Sequence, residues 1–160
     1  MASWSAFEAA APELAARVRQ RFQEHGLALI ATLRRDGSPR ISGIEVEFVG
    51  GELWFGMMPG SRKLQDLMRD PRLALHAATI DREVRAGDAK VSGRGVFVPE
   101  GPEWEEYVAL RTREMGDAPE SWVPMFRVDV AEASFVQPVV DRLVIEWWRE
   151  GEPVRRVERQ

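Results

Sequence analysis

Cysteine is absent from this 160-residue sequence, which excludes disulfides, thiolate metal sites and cysteine nucleophiles. Histidine is nearly as scarce. The two present, His25 and His76, are too few to build a multi-histidine metal centre unaided. Basic residues are the minority charge, 22 against 26 acidic, and the formal net charge of −4 argues against the broad cationic surface that nucleic acid requires. Long apolar runs are missing as well: none approaches the roughly 20 residues that span a bilayer. The opening MASWSAFEAAAPELAARVRQRF lacks the continuous apolar segment of a secretory signal, so a cytoplasmic location is expected. Repeats and low-complexity linkers are lacking, which leaves one domain over residues 1–160. With 44% hydrophobic and 30% charged residues, the chain has the composition of an ordinary globular protein with a real core.

Periodicity divides the chain. From Ala6 to Glu24 the apolar positions Phe7, Ala11, Leu14, Val18 and Phe22 recur every three or four residues, the pattern of one amphipathic helix ended by Gly26. Three short β runs follow in LALIATLRRDGSPRISGIEVEFVGGELWFGM, separated by the turn signals RDGS (35–38 within it) and VGGE at 49–52. A helix from Ser61 to about Asp70-Pro71 precedes a strand in RLALHAATI, a polar loop at 81–88 and a strand in AKVSGRGVFV. Residues 102–115 read as a helix with Trp104, Val108 and Met115 inward, then a loop to Pro124 and two β runs, MFRVDVAEASFV and DRLVIEWWRE. Hairpins this short leave no room for crossover helices. The expected fold is therefore mainly β, a six- to seven-stranded antiparallel barrel with short flanking helices.

The junction FGMMPGSRKLQDLMRD contains an anomaly. A helix N-terminus carries partial positive charge and unpaired N–H groups, yet Arg62 and Lys63 stand in its first turn. Ser61 is a good N-cap, and Gly60 frees the backbone before it. A bound phosphate turns this placement from unfavourable to favourable, because amides, guanidinium and ammonium then converge on one anion. The competing reading is that both side chains extend into water, offset by Asp66.

The order of hairpin strands, GSRKLQDLMRDPRLALH, a loop and AKVSGRG resembles the flavin-binding split-barrel family related to pyridoxamine 5′-phosphate oxidase. The likeness covers about Leu27 to Val98 well and the two C-terminal strands loosely. It implies a split β-barrel that binds FMN, with branches that instead take the deazaflavin coenzyme F-420 or haem. It also implies that Ser61, Arg62 and Lys63 hold the cofactor phosphate and that Arg40 reaches the same region. Ile41, Ser42 and Gly43 then present backbone to the isoalloxazine ring, Gly56 and Met57 lie along it, and Lys90 or Ser92 supplies a polar neighbour. At Gly56 and Met57 the sequence departs from the polar pair of the family, which implies a missing side-chain hydrogen bond. The family habit implies a homodimer with cofactor sites at the interface, where an outward tryptophan of the Trp147-Trp148 pair, Trp148 being our candidate, contacts the cofactor near Arg155 and Arg156; the competing reading is a dimer-core or barrel-core tryptophan with both arginines solvated. The tail otherwise departs from the oxidase pattern, so pyridoxamine phosphate oxidation itself is not expected. The implied activity is hydride transfer to or from a small molecule, with a non-catalytic flavin or haem carrier as the alternative.

No nucleophilic triad or carboxylate dyad stands out. Glu45 and Glu47 alternate with Ile44, Val46 and Phe48 and read as the solvent face of a half-buried strand. His76 shares a strand face with Ala74 and Ala78, small neighbours that leave space for a ligand; the favoured reading is a structural or interface histidine.

Overall fold

A computed structural model describes residues 1–160. The N-terminal segment forms two helices, α1 (Trp4–Ala10) and α2 (Pro12–His25), rather than the one expected over 6–24. Pro12 is the reason. It has no N–H to donate, and it drives Ala11 out of helical geometry to φ −144°, ψ 63°, so the chain breaks and restarts with Pro12 in the first turn. Trp4, Phe7, Leu14, Val18 and Phe22 are fully buried, each contributing about 1.5–3 kcal/mol of transfer free energy.

Nine antiparallel strands follow: β1 (Leu27–Leu33), β2 (Pro39–Glu45), β3 (Glu47–Val49), β4 (Glu52–Gly56), β5 (Arg72–Ala77), β6 (Asp88–Val98), β7 (Met125–Val139), β8 (Arg142–Arg149) and β9 (Arg155–Arg159). Between them lie α3 (Arg62–Arg69) and α4 (Pro102–Met115). The sheet order is β2-β1-β5-β6-β7-β4-β3, with β8 added to β7 and β9 to β8. β2 and β3 are one extended segment interrupted only at Val46, whose N–H donates to the Gly26 carbonyl at 2.9 Å. The segment leaves β1 and joins β4, so the sheet closes on itself into a split barrel. Two strands exceed the expected count: the break at Val46 separates β3, and the charged tail RRVER pairs with β8 as an exposed edge. Arginine and glutamate on such an edge discourage further pairing.

Two backbone features fix the geometry. The β3–β4 hairpin turns on Gly50 and Gly51, both with positive φ (59° and 78°), the requirement of a turn whose twist matches its strands. In β7, Ala131 is an extra residue between the pairs Ser92–Glu132 and Gly93–Val130. Only glycine fits opposite this bulge, since a Cβ at Gly93 would lie 1.9 Å from the Asp129 carbonyl oxygen.

The main core joins α1 and α2 to the barrel interior. A smaller core of Val49, Trp54, Val98, Tyr107 and Met125 seats α4. Tyr107 is its buried helix residue, with Trp104 and Val108 partly buried, whereas Met115, expected inward, is 45% exposed. No helix is long and apolar enough to cross a membrane.

Candidate functional site

The α3 junction forms as the sequence predicts. Ser61 is extended (φ −62°, ψ 149°), and its hydroxyl accepts from the Leu64 amide at 3.4 Å. The Ser61 carbonyl accepts from Gln65, and the amides of Arg62 and Lys63 have no main-chain acceptor. Arg62 is exposed and makes no ion pair. Lys63 reaches across to β2 and donates from Nζ to the Gly43 carbonyl at 2.9 Å, tying the helix start to the strand beside it.

Behind this junction lies a wholly polar cleft of about 780 Å³, lined by Arg34, Arg35, Asp36, Arg40, Arg62, Gln65, Asp66 and Arg69. Its anchor is Asp66, 3% exposed. The carboxylate accepts from Arg40 Nε at 2.6 Å, Thr32 Oγ1 at 2.9 Å and Arg69 Nη2 at 3.2 Å. Burial pushes the Asp66 carboxyl up, but the hydrogen bonds from Arg40, Thr32 and Arg69 outweigh it and hold the group below its ordinary value. Arg40 is thus partly committed: it lines the cleft, yet its Nε is held by Asp66. Asp66 does not offset Arg62 or Lys63, as the sequence had allowed; it orders Arg40 and Arg69 instead.

On the outer face of the barrel, strand register lays out a different surface. Gly43, Leu29, His76, Lys90 and Ser134 occupy one rung across β2, β1, β5, β6 and β7, and Ile41, Ala31, Ala74, Ser92 and Glu132 the next. All of them but Gly43 line a cleft of about 460 Å³, apolar toward β1 and polar toward β6 and β7. Lys90 and Ser92 both line it, being two residues apart on one strand. A neighbouring cleft of about 500 Å³ contains Gly43, Gly56, Met57, Met58 and Lys63 and shares Leu29 with the first. Ser42 points to the opposite face of β2 and is half-buried.

His76 is half-exposed in the cleft of about 460 Å³. Its Nδ1 lies 2.7 Å from the Ala77 carbonyl oxygen, and a carbonyl can only accept, so Nδ1 carries a proton and, in the neutral imidazole, Nε2 the lone pair. Nε2 is 3.8 Å from Asp88.

Trp148 is not available to any cofactor. It is 3% exposed and packs against Phe7 with ring centroids 4.8 Å apart, because strand alternation sends it to the core and leaves Trp147 half-buried outside. Arg155 and Arg156 pair with Glu152 and Glu158 on the surface.

Sequence reasoning missed a cluster on the other side of Gly56. Glu47, read as solvent-facing, accepts from the Tyr107 hydroxyl and from Arg111 Nε at 3.0 Å, while Arg111 Nη1 donates to Asp117 at 2.7 Å. Burial, then the Glu47 carboxylate, push the Tyr107 phenol well above its ordinary value. The available signal was the Tyr107/Arg111 spacing of four on one helix face; for the basic cleft it was Arg62 and Arg69, two helical turns apart.

A split barrel with a Ser61-capped, doubly basic helix start beside an apolar outer groove is the class of protein these features define. Residues 14–139 match the family described as pyridoxamine 5′-phosphate oxidase, and the chain belongs to that family. No curated protein matches the sequence. Among solved structures, the conserved hypothetical protein Rv2991 from Mycobacterium tuberculosis is similar at a TM-score of 0.59 and 20% identity, over 74% of this chain and 81% of that one. The heme binding protein from Mycobacterium smegmatis gives 0.61 at 16% identity, over 90% of this chain; the present chain spans only 57% of its length. HutZ, the heme storage protein from Vibrio cholerae, gives 0.56 at 14% identity, over 76% and 89% of the two chains. At these identities the likeness shows the fold.

Proposed function

We propose that this protein binds a phosphate-bearing flavin-type cofactor, FMN or the deazaflavin coenzyme F-420, and is an oxidoreductase acting on a small molecule. The observation that carries the reading is the Ser61-capped start of α3, where two unbonded amides and the unpaired Arg62 stand beside a lysine bridged to Gly43. This donor set suits a phosphate. Arg40, Arg34, Arg35 and Arg69 extend positive charge behind it, which suits additional anionic groups. Gly43, Gly56 and Met57, together with the groove reaching Lys90 and Ser92, offer an apolar surface with a polar margin for a ring. When bound, such a cofactor supplies hydride transfer, and the chain's own residues position it and exclude water. Leu29 and Ile41, 51% and 72% exposed on the same face, favour a homodimer that covers the groove; a monomer by light scattering at micromolar concentration argues against it.

The test is equilibrium titration with FMN and with the deazaflavin. Lys63→Glu replaces an attraction by a repulsion and is expected to weaken binding at least tenfold, about 1.4 kcal/mol. Unchanged affinity for both cofactors removes the phosphate assignment.

His76 favours a second reading, haem binding. Its Nε2 lone pair stands in an apolar cleft, and two of the similar structures are named for heme. Absorption titration with haemin distinguishes the two: a ligand-dependent Soret shift lost in His76→Ala supports haem, and no shift removes it.

A further inference from the structure

A cleft of about 400 Å³ lies where β3 and β4 meet the end of α4, and the cofactor reading makes no use of it. It shares Glu45 and Gly56 with the cleft of Gly43, Met57 and Lys63, so occupants of the two would be neighbours. Phe55, Val123 and Met125 give it an apolar side. Its charged groups are Glu45, Glu47, Asp117 and one cation, Arg111. That cation is already spent, on Glu47 at 3.0 Å and on Asp117 at 2.7 Å. Glu47 is likewise saturated by Arg111 and the Tyr107 hydroxyl. Glu45 differs: it is exposed at the shared edge and has no ion pair. Three carboxylates against one guanidinium leave two formal negative charges facing an apolar hollow.

Resting on the cofactor reading above, we propose that this cleft is the substrate pocket and that it selects an organic cation, a protonated amine on an apolar frame, over an anion. The Tyr107–Glu47–Arg111–Asp117 network holds the wall rigid and withdraws the guanidinium that an anionic substrate needs. Glu45 is the recognition carboxylate, placed at the boundary with the cofactor cleft. Two unbalanced charges within a few ångströms of a bound ion give a preference of roughly tenfold in a partly solvated site.

Benzylamine and benzoate carry the same ring with opposite charge and serve as probes. Binding to the full-length protein in saturating FMN is followed at pH 7 through the backbone amide signals of Gly56, Ala118 and Val123. Benzylammonium is expected to bind at least tenfold more tightly than benzoate, with its shifts centred on those residues. Glu45→Gln is expected to lower that preference about threefold, and Glu45→Lys to abolish or invert it. Benzoate binding as tightly as benzylammonium, shifts centred elsewhere, no shifts, or a preference indifferent to both Glu45 variants overturns the proposal. FMN binding is titrated separately. A protein that takes FMN but does not discriminate the probes loses this proposal alone, whereas one that takes neither FMN nor the deazaflavin loses the cofactor reading and this inference with it.

Discussion

The two polar regions flanking β2 are built on the same plan with opposite charge left over. On one side Asp66 is enclosed by Arg40, Arg69 and Thr32, and the cleft around it holds five arginines against two aspartates. On the other, Glu47 is held by Arg111 and Tyr107, and the cleft holds three carboxylates against one arginine. In each, a carboxylate fixes cationic side chains in place; what differs is the surplus. A paired ion network does structural work, and the unpaired charges around it, Arg34, Arg35 and Arg62 on one side and Glu45 on the other, remain free to meet a ligand. The burial of the two anchors also differs, since Asp66 is almost fully enclosed while the Glu47 side chain is 24% exposed.

That difference in burial predicts the largest separation. Asp66→Ala removes the acceptor of three donors and is expected to cost about 3 kcal/mol in urea unfolding; a loss no larger than that of Glu47→Ala would make the two anchors equivalent. The same anchor carries a pH signature. The folded-state carboxyl of Asp66 lies below its ordinary value, so its contribution is fully present above the unfolded value of about 4 and is lost as pH falls through the lower folded value. The stability gap between the natural chain and Asp66→Asn is therefore expected to narrow only below about pH 4. A gap that is flat down to pH 2 would contradict this. Glu47→Ala is expected to cost less, about 1.5 kcal/mol, because water partly replaces its partners; thermal or urea unfolding measures it. Smallest is Arg62→Gln, expected to lower FMN affinity about fivefold, near 1 kcal/mol, with stability unchanged. An unaltered titration curve would show that the surplus cation is only solvated.

Much of the architecture was legible in local signals. The Ser61 cap, the Gly50-Gly51 turn and the boundaries of α4 each depend on a few adjacent residues whose backbone preferences dominate. The single helix expected over 6–24 failed on one residue, Pro12, whose effect is equally local and was outweighed by an unbroken apolar period. β9 was missed because charged residues on an edge strand resemble a solvated tail. Of the candidate residues, Ile41, Lys90 and Ser92 share the outer cleft that contains His76, Gly43, Gly56, Met57 and Lys63 its neighbour, and Arg40 and Arg62 the basic one. Trp148 went astray because alternation told that one tryptophan of the pair was inside without telling which.

By itself, the amino-acid order determined most helix and hairpin boundaries and placed two cations in the first turn of α3, since these rest on neighbours in the chain. Only the tertiary structure decided which charges are spent. Arg40 meets Asp66, Glu47 meets Arg111 and Tyr107, and Lys63 meets Gly43 across separations of 20 to 64 residues. Electrostatic pairing depends on distance in space and on burial, and barrel closure sets both.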